Sequence, residues 1–392
     1  MRIATIRPPR LRTLSEEGER AATWLELFYD LVFVVAVAVL GSRLLEDTSW
    51  SGVWSYVAYM ALLWWLWASH TFYADRYDTD DLVYRLLATG QMAALVIAAA
   101  SLSSGPANST AAFAVAYTLS RLVLIAMYVR ARKHVPATRR LVTGYLVGFS
   151  IGAVLWAISI FVPEPARFAL WAAGFSIDLA TPWLMRREQA RVPLDVSHLP
   201  ERFGLFTIVV LGETIAAVVV GLSQTGWSTT TTLAAMFGVG AAAGMWWMYF
   251  DNVEGSVVRR RDKDGRAWRP TVWIYSHFFL ATGVAMAGVG LEHAVVSAGH
   301  GAFDAAERWL LAGSSAVAFG AMALIHLAAS STRSPTLHMT IARNRALGIF
   351  LLLIVGFLSF LGSTWVALVV LLICVGQVIA DVGMGVQGET NA

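Results

Sequence analysis

Seven ionisable side chains stand inside stretches that are otherwise almost wholly apolar: Glu26, Asp30, Arg121, Asp178, Glu213, His277 and His326. A charge at bilayer depth costs about 2.5–3.5 kcal/mol on insertion scales, so such residues mark solute paths, proton relays or buried ion pairs. Glu213 lies about ten residues into its apolar run, roughly 15 Å from the start at 1.5 Å per residue, which is the midplane of a hydrocarbon core. Gly212 beside it admits a close neighbouring helix. A carboxyl there serves proton or substrate coupling, or else anchors an interhelical hydrogen bond. Glu26 and Asp30 are spaced i, i+4 and share one helix face, which requires a cation between them or a shared proton. Glu26 has a plainer reading as a first-turn residue held by the helix N-terminus. Arg121 is always charged and needs a partner among Asp30, Asp178 and Glu213; such a pair responds to substrate or simply fixes helix register. Asp178 carries the same two readings. His277 and His326 sit about 10 Å from the basic edge of their runs, where a histidine suits a proton relay or a neutral hydrogen bond.

The elements that must hold these residues follow from composition. The chain has 392 residues, 57% hydrophobic and only 14% charged, against about a quarter charged in a soluble domain. Its 32 glycines and 11 prolines have no period, and its single cysteine, Cys374, excludes a disulfide framework. Runs near the roughly 20 residues that a bilayer needs fall at 22–42, 53–73, 82–103, 110–131, 140–162, 166–185, 203–223, 230–250, 271–296, 307–331, 345–361 and 363–382. The fold class is therefore an all-α polytopic membrane protein of about twelve transmembrane helices. Only Gly362 and Ser363-Thr364 separate the last two. Arg2, Arg7, Arg10 and Arg12 are followed by Glu16, Glu17 and Glu19 rather than an apolar run, so a cleavable signal peptide is not expected.

Of the 29 basic residues, 25 fall on one side of this topology and only Arg43, Arg167 and Arg308 on the other. The positive-inside rule makes the basic side cytoplasmic, with both termini inside. Four short matches recur in order: Glu26-Leu-Phe28 with Glu201-Arg-Phe203, Trp64-Trp65 with Trp246-Trp247, Leu87-Ala-Thr-Gly90 with Leu280-Ala-Thr-Gly283, and Pro136 with Pro335. They indicate a parallel 6+6 duplication, a symmetry found among secondary transporters. The expected organisation is a cytoplasmic segment 1–21, a first repeat 22–190, a second repeat 191–385 and a tail 386–392.

Three stretches carry a resemblance: Leu25-Glu-Leu-Phe-Tyr-Asp-Leu-Val-Phe-Val34, Phe72-Tyr-Ala-Asp-Arg-Tyr-Asp-Thr-Asp-Asp81 and Glu201-Arg-Phe-Gly-Leu-Phe-Thr-Ile-Val-Val-Leu-Gly-Glu213. The chain resembles the bacterial low temperature requirement protein A family. The resemblance implies an integral membrane protein tied to growth in the cold and brings no biochemical activity with it. By analogy with the major facilitator architecture, the first, fourth, seventh and tenth helices, bearing Glu26, Asp30, Arg121, Glu213 and His326, would line a cavity. Asp178 and His277 do not fit that analogy, and Ala74-Asp75-Arg76-Tyr77 lacks the glycine of that superfamily's loop motif.

No HExxH spacing or Walker A loop is present, and no GxSxG elbow or GxGxxG follows an expected strand, so neither an enzyme nor ATP-driven transport is expected, and no cofactor or metal. Insertion topology accounts for the basic loops without nucleic acid. Trp64, Trp65, Trp67, Trp246 and Trp247 fit interfacial belts, and Glu46, Asp47, Glu292 and His293 fall at outer, interfacial ends. The expected function is a proton-coupled inner-membrane secondary transporter of a small anionic or zwitterionic solute, whose two six-helix halves alternate access. The other reading is a non-transporting membrane protein of cold or stress adaptation or lipid interaction. The bilayer and a small solute or proton are the expected partners, and the sequence gives no oligomeric state.

Overall fold

In lipid an apolar run satisfies its backbone only as a helix or a closed barrel, and runs of twenty residues bounded by charge and glycine take the first course. A computed structural model describes residues 6–12, 22–78, 80–103, 106–192, 198–251, 268–300, 303–329 and 335–390. Twelve long helices are described: α1 Trp24–Glu46, α2 Trp50–Arg76, α3 Leu82–Ser103, α4 Pro106–His134, α5 Arg139–Ser159, α6 Ala166–Leu184, α7 His198–Gln224, α8 Thr229–Phe250, α9 Trp268–His300, α10 Ala305–Ala329, α11 Pro335–Phe357 and α12 Ser363–Thr390. A two-residue strand, β1 Arg10–Leu11, pairs antiparallel with β2 Tyr77–Asp78.

Each expected span overlaps one of these helices, and among the described residues ten helices are long and apolar enough to cross a membrane. The second and sixth are not among the ten. The last turns of α2 carry Ser69-His70-Thr71, Asp75 and Arg76, and α6 has only 19 residues, interrupted by Asp178 and Pro182. Turn residues 358–362 separate α11 from α12. The basic run 259–266, Arg2, Arg20 and Arg333 lie outside the described residues.

Local chemistry starts several helices. Thr23 and Glu26 form a capping box at α1, with Glu26 Oε2 accepting the Thr23 amide at 2.7 Å and Thr23 Oγ1 accepting the Glu26 amide at 3.3 Å. Ser228 and Thr231 do the same for α8. Asp81 caps α3 by accepting the Tyr84 amide at 3.0 Å.

The chain divides into two units, residues 1–40 with 61–202 and residues 41–60 with 203–392. In the first, α4 packs on α3 and α5, and α5 on α6, around an aromatic core that includes Tyr73, Tyr77, Tyr84, Tyr128, Tyr145 and Phe149. In the second, α9 packs on α10, α10 on α11, α11 on α12, and α8 on α9 and α12. Close approach there depends on small residues: a Cβ on Gly290 would stand 2.7 Å from the Leu311 Cα, and one on Gly244 2.7 Å from the Cys374 Cβ. The outward faces are apolar, as with Phe28, Leu31 and Val35 on α1 or Val147, Ile151, Val154 and Ile158 on α5. Contiguous faces of this kind are solvated by lipid.

The tryptophans correct one expectation. Trp64, Trp65 and Trp67 are buried rather than interfacial, while Trp246 and Trp247 are about half exposed. At 100° per residue the three indoles spread over about 160° of the helix, an arc that is buried here, and Trp67 has a polar task inside.

Candidate functional site

The first unit gathers most of the expected charges, in two groups. The i, i+4 pair on α1 is served by one guanidinium: Arg202 Nη2 lies 2.6 Å from Asp30 Oδ1 and Arg202 Nη1 3.3 Å from Glu26 Oε1. Trp67 Nε1 also donates to Asp30 Oδ1, at 2.7 Å. One turn before Arg202, His198 stands between two acids, its Nε2 3.5 Å from Glu26 Oε2 and its Nδ1 3.2 Å from Asp75 Oδ1. All of these side chains are buried. The amino-terminal turn of α7 is thus tied to α1 and to the end of α2 by buried charges.

The second group centres on Arg121. Of its three expected partners the structure selects Asp178, with Arg121 Nη2 2.6 Å from Asp178 Oδ1 and both side chains fully buried. Arg121 Nη1 donates to Ser69 Oγ at 3.1 Å, and the guanidinium lies over the Phe149 ring, 4.7 Å from its centroid, a cation–π contact. The pairing of Asp30 with Arg121 therefore gives way to two separate pairs, because Arg202 occupies Asp30. Next to Ser69, His70 is held by Gln91 Oε1 at 2.9 Å and by Tyr84 Oη at 3.3 Å, and it stacks on Tyr29 at 4.0 Å.

In the second unit the expected residues stand apart from one another. Glu213 is partly exposed on α7, and among the described residues no ion pair to it is recorded. Next to it, Thr214 Oγ1 donates to the Val284 carbonyl at 3.2 Å. Glu292 is buried rather than interfacial, packed where α7 passes at Gly221; His293 pairs with Glu307 at 3.0 Å. His277 uses both nitrogens: Nδ1 lies 2.7 Å from the Trp273 carbonyl and so carries the proton, and Nε2 accepts from the Tyr249 hydroxyl at 3.0 Å. His326 is buried on α10, and among the described residues its Nδ1 has no hydrogen-bond partner. Arg345, buried on α11, pairs with Asp381 and donates to Gln377 Oε1 at 2.7 Å. Among the described residues no three His, Cys, Asp or Glu side chains gather as a metal site would require.

Sequence reasoning missed Arg202, His198 and Arg345. Arg202 and Arg345 lie at the ends of apolar runs, where insertion topology already explains an arginine. A signal was present nonetheless: His198 and Arg202 are spaced i, i+4, the same spacing as the Glu26 and Asp30 they meet.

The model of the bacterial low temperature requirement A protein (LtrA) family matches residues 21–380. An uncharacterized protein of Rhizobium meliloti (strain 1021) is 26% identical over 280 residues, covering 69% of this chain and 68% of its own length. No solved structure matches the chain.

Proposed function

The chain belongs to the bacterial low temperature requirement A family, and on that premise we propose that this multi-pass membrane protein is a proton-coupled secondary transporter of a small anionic or zwitterionic solute. The observation that carries the proposal is His198 held between Glu26 and Asp75, with Arg202 bridging Glu26 and Asp30. An imidazole changes charge near physiological pH. Protonated, it attracts both acids and draws the start of α7 to α1 and α2; neutral, it keeps at most one hydrogen bond of each kind. A proton thus alters how three long helices are fastened. Glu213, near the midplane of α7, is the second proton or substrate group, reached along the same helix.

The resident membrane of this reading is the bacterial plasma membrane, with both termini in the cytoplasm, and the two halves are parallel repeats that rock about a shared site. In support, each unit orders its last four helices alike, third on fourth, fourth on fifth and fifth on sixth. The sealed pair of Arg121 and Asp178 favours a second reading, a stress-adaptation membrane protein whose buried charges only pin helices.

The test is pH change inside proteoliposomes challenged with a panel of anionic and zwitterionic metabolites, for the parent, His198→Gln and Glu213→Gln. Transport predicts a solute-dependent proton flux in the parent and uncoupled solute movement in the variants. If no solute moves a proton in the parent, or if folded variants match it in every flux, the coupling reading fails and the pinning reading stands.

A further inference from the structure

A cavity of about 670 Å³ opens between the end of α4, the start of α5 and the one-turn helix Arg186–Gln189, and four arginines line it: Arg132, Arg139, Arg140 and Arg191. Glu188 is the one acid in the lining, and it is spent on Arg191 at 3.1 Å. Arg132 is held in place, its Nε donating to Thr143 Oγ1 at 3.0 Å, while that hydroxyl donates to the Arg139 carbonyl at 2.7 Å. Among the described residues no acid pairs with Arg139 or Arg140.

These two arginines occupy the first turn of α5, which has no acidic residue and no side-chain cap. Thr138 at the cap position is engaged elsewhere, accepting from the Tyr77 hydroxyl at 3.0 Å and donating to the Val135 carbonyl at 3.2 Å. The turn Pro136–Thr138 runs straight into α5 and takes up the Thr138 and Arg139 amides on the Val135 and Pro136 carbonyls, so the positive end of the helix dipole repels cations there without an acid to offset it. Arg139 and Arg140 add two positive charges to that same end of the helix, and an anion there would offset both.

The surface next to the cavity identifies the anion's carrier. Val147, Ile151, Val154 and Ile158 on α5 are each about half exposed. At 100° per residue they fall within about 40° of the direction of Arg140, so an apolar stripe rises directly from the basic cavity. The first two lie roughly 10–16 Å along the helix from Arg140, the depth of one leaflet's acyl chains. A soluble phosphate has no use for this stripe, whereas a phospholipid fits both parts.

We propose that this cavity is a binding site for an anionic phospholipid, its phosphate held by Arg132, Arg139 and Arg140, and one acyl chain lying along the Val147–Ile158 stripe. The site stands independently of the transport reading.

The experiment measures lipid retention by native mass spectrometry and thermal shift of the full-length protein in detergent, with phosphatidylglycerol, phosphatidylcholine or inorganic phosphate added. The parent is expected to retain phosphatidylglycerol and gain melting temperature, with phosphatidylcholine and phosphate having little effect. Each basic side chain near an anionic headgroup is worth about 1 kcal/mol, or roughly fivefold. Arg139→Gln with Arg140→Gln should therefore weaken phosphatidylglycerol binding by about 25-fold. Arg187→Gln with Arg343→Gln, exposed and outside the cavity, should leave it unchanged. Glu188→Gln, which frees Arg191 and does not challenge folding, should strengthen it about fivefold. Equal losses from the two arginine pairs would mean diffuse attraction to the leaflet. Equal stabilisation by inorganic phosphate would mean a soluble anion, and no gain from Glu188→Gln would mean that the cavity does not hold the headgroup; each overturns the proposal.

Discussion

Arg202 Nη2 lies 2.6 Å from Asp30 Oδ1, and the same guanidinium reaches Glu26 one turn away at 3.3 Å. Removing one member of a buried pair leaves an uncompensated charge, at a cost of about 3–5 kcal/mol. Arg202→Met should therefore lower the melting temperature of the solubilised protein sharply, and adding Asp30→Asn should recover part of the loss. Thermal melts of the parent, both single variants and the double variant give the coupling; additive losses would show that the two residues do not act as a pair.

The Arg121 and Asp178 pair is sensitive to crowding from α5. A Cβ on Gly152 would stand 2.8 Å from Asp178 Oδ1, so Gly152→Ala should destabilise by about 1–3 kcal/mol, the usual range for overpacking. Arg121→Lys should cost more than a charge-conserving change normally does, because a compact ammonium lacks the planar fork by which Nη2 meets Asp178 and Nη1 meets Ser69. Denaturation monitored by tryptophan fluorescence measures both. A Gly152→Ala protein as stable as the parent would mean that Asp178 has room to move.

Stability should also depend on acid through Asp81, which lies outside the spans. Burial works against its ionisation, but Arg130 donates from Nη1 at 2.9 Å and Nη2 at 2.6 Å, and the Tyr84 and Arg7 amides add bonds at 3.0 and 3.1 Å. These donors hold the carboxyl below its ordinary value. A lowered folded-state pKa contributes stability that is complete above the unfolded value of about 3.9 and disappears as pH falls through the folded value. Melting temperatures measured from pH 7 downward should fall less steeply at the acid end in Asp81→Asn than in the parent. Parallel curves would remove Asp81 from the acid response.

At His277 the prediction concerns a hydrogen bond rather than a charge. Tyr249→Phe removes the donor to Nε2 and leaves a buried acceptor unmet, at a cost of about 1–3 kcal/mol. Stability should drop while the pH dependence of any proton flux is unchanged. A shifted flux profile in proteoliposomes would instead give His277 a part in proton movement.

The helices were legible because an apolar run of twenty residues, too long for a barrel strand, satisfies its own backbone in lipid only as a helix. The buried charges were legible for the same reason, since Arg121 and Asp178 interrupt such runs. Which charges meet was not legible, because that depends on the rotation and neighbourhood of helices far apart in sequence. Asp178 was one of three candidates for Arg121, and nothing in the local sequence distinguishes it from Asp30. Arg202 was hidden by a rule that explains it too easily, since an arginine at the end of a span is expected whether or not it has a partner. Trp64, Trp65 and Trp67 misled because composition records that aromatic residues are abundant near a span end and not which way they face.

Cys374 is fully buried against Gly244, and the chain has no other cysteine. Water-soluble maleimides therefore have no reactive target in the folded protein, and the native sequence already serves as a silent background for thiol labelling. Single cysteines introduced at Asp47, in the turn between α1 and α2, and at Ala137, in the turn between α4 and α5, would report from which face of the membrane each turn is reached, without disturbing the packing of α8 on α12.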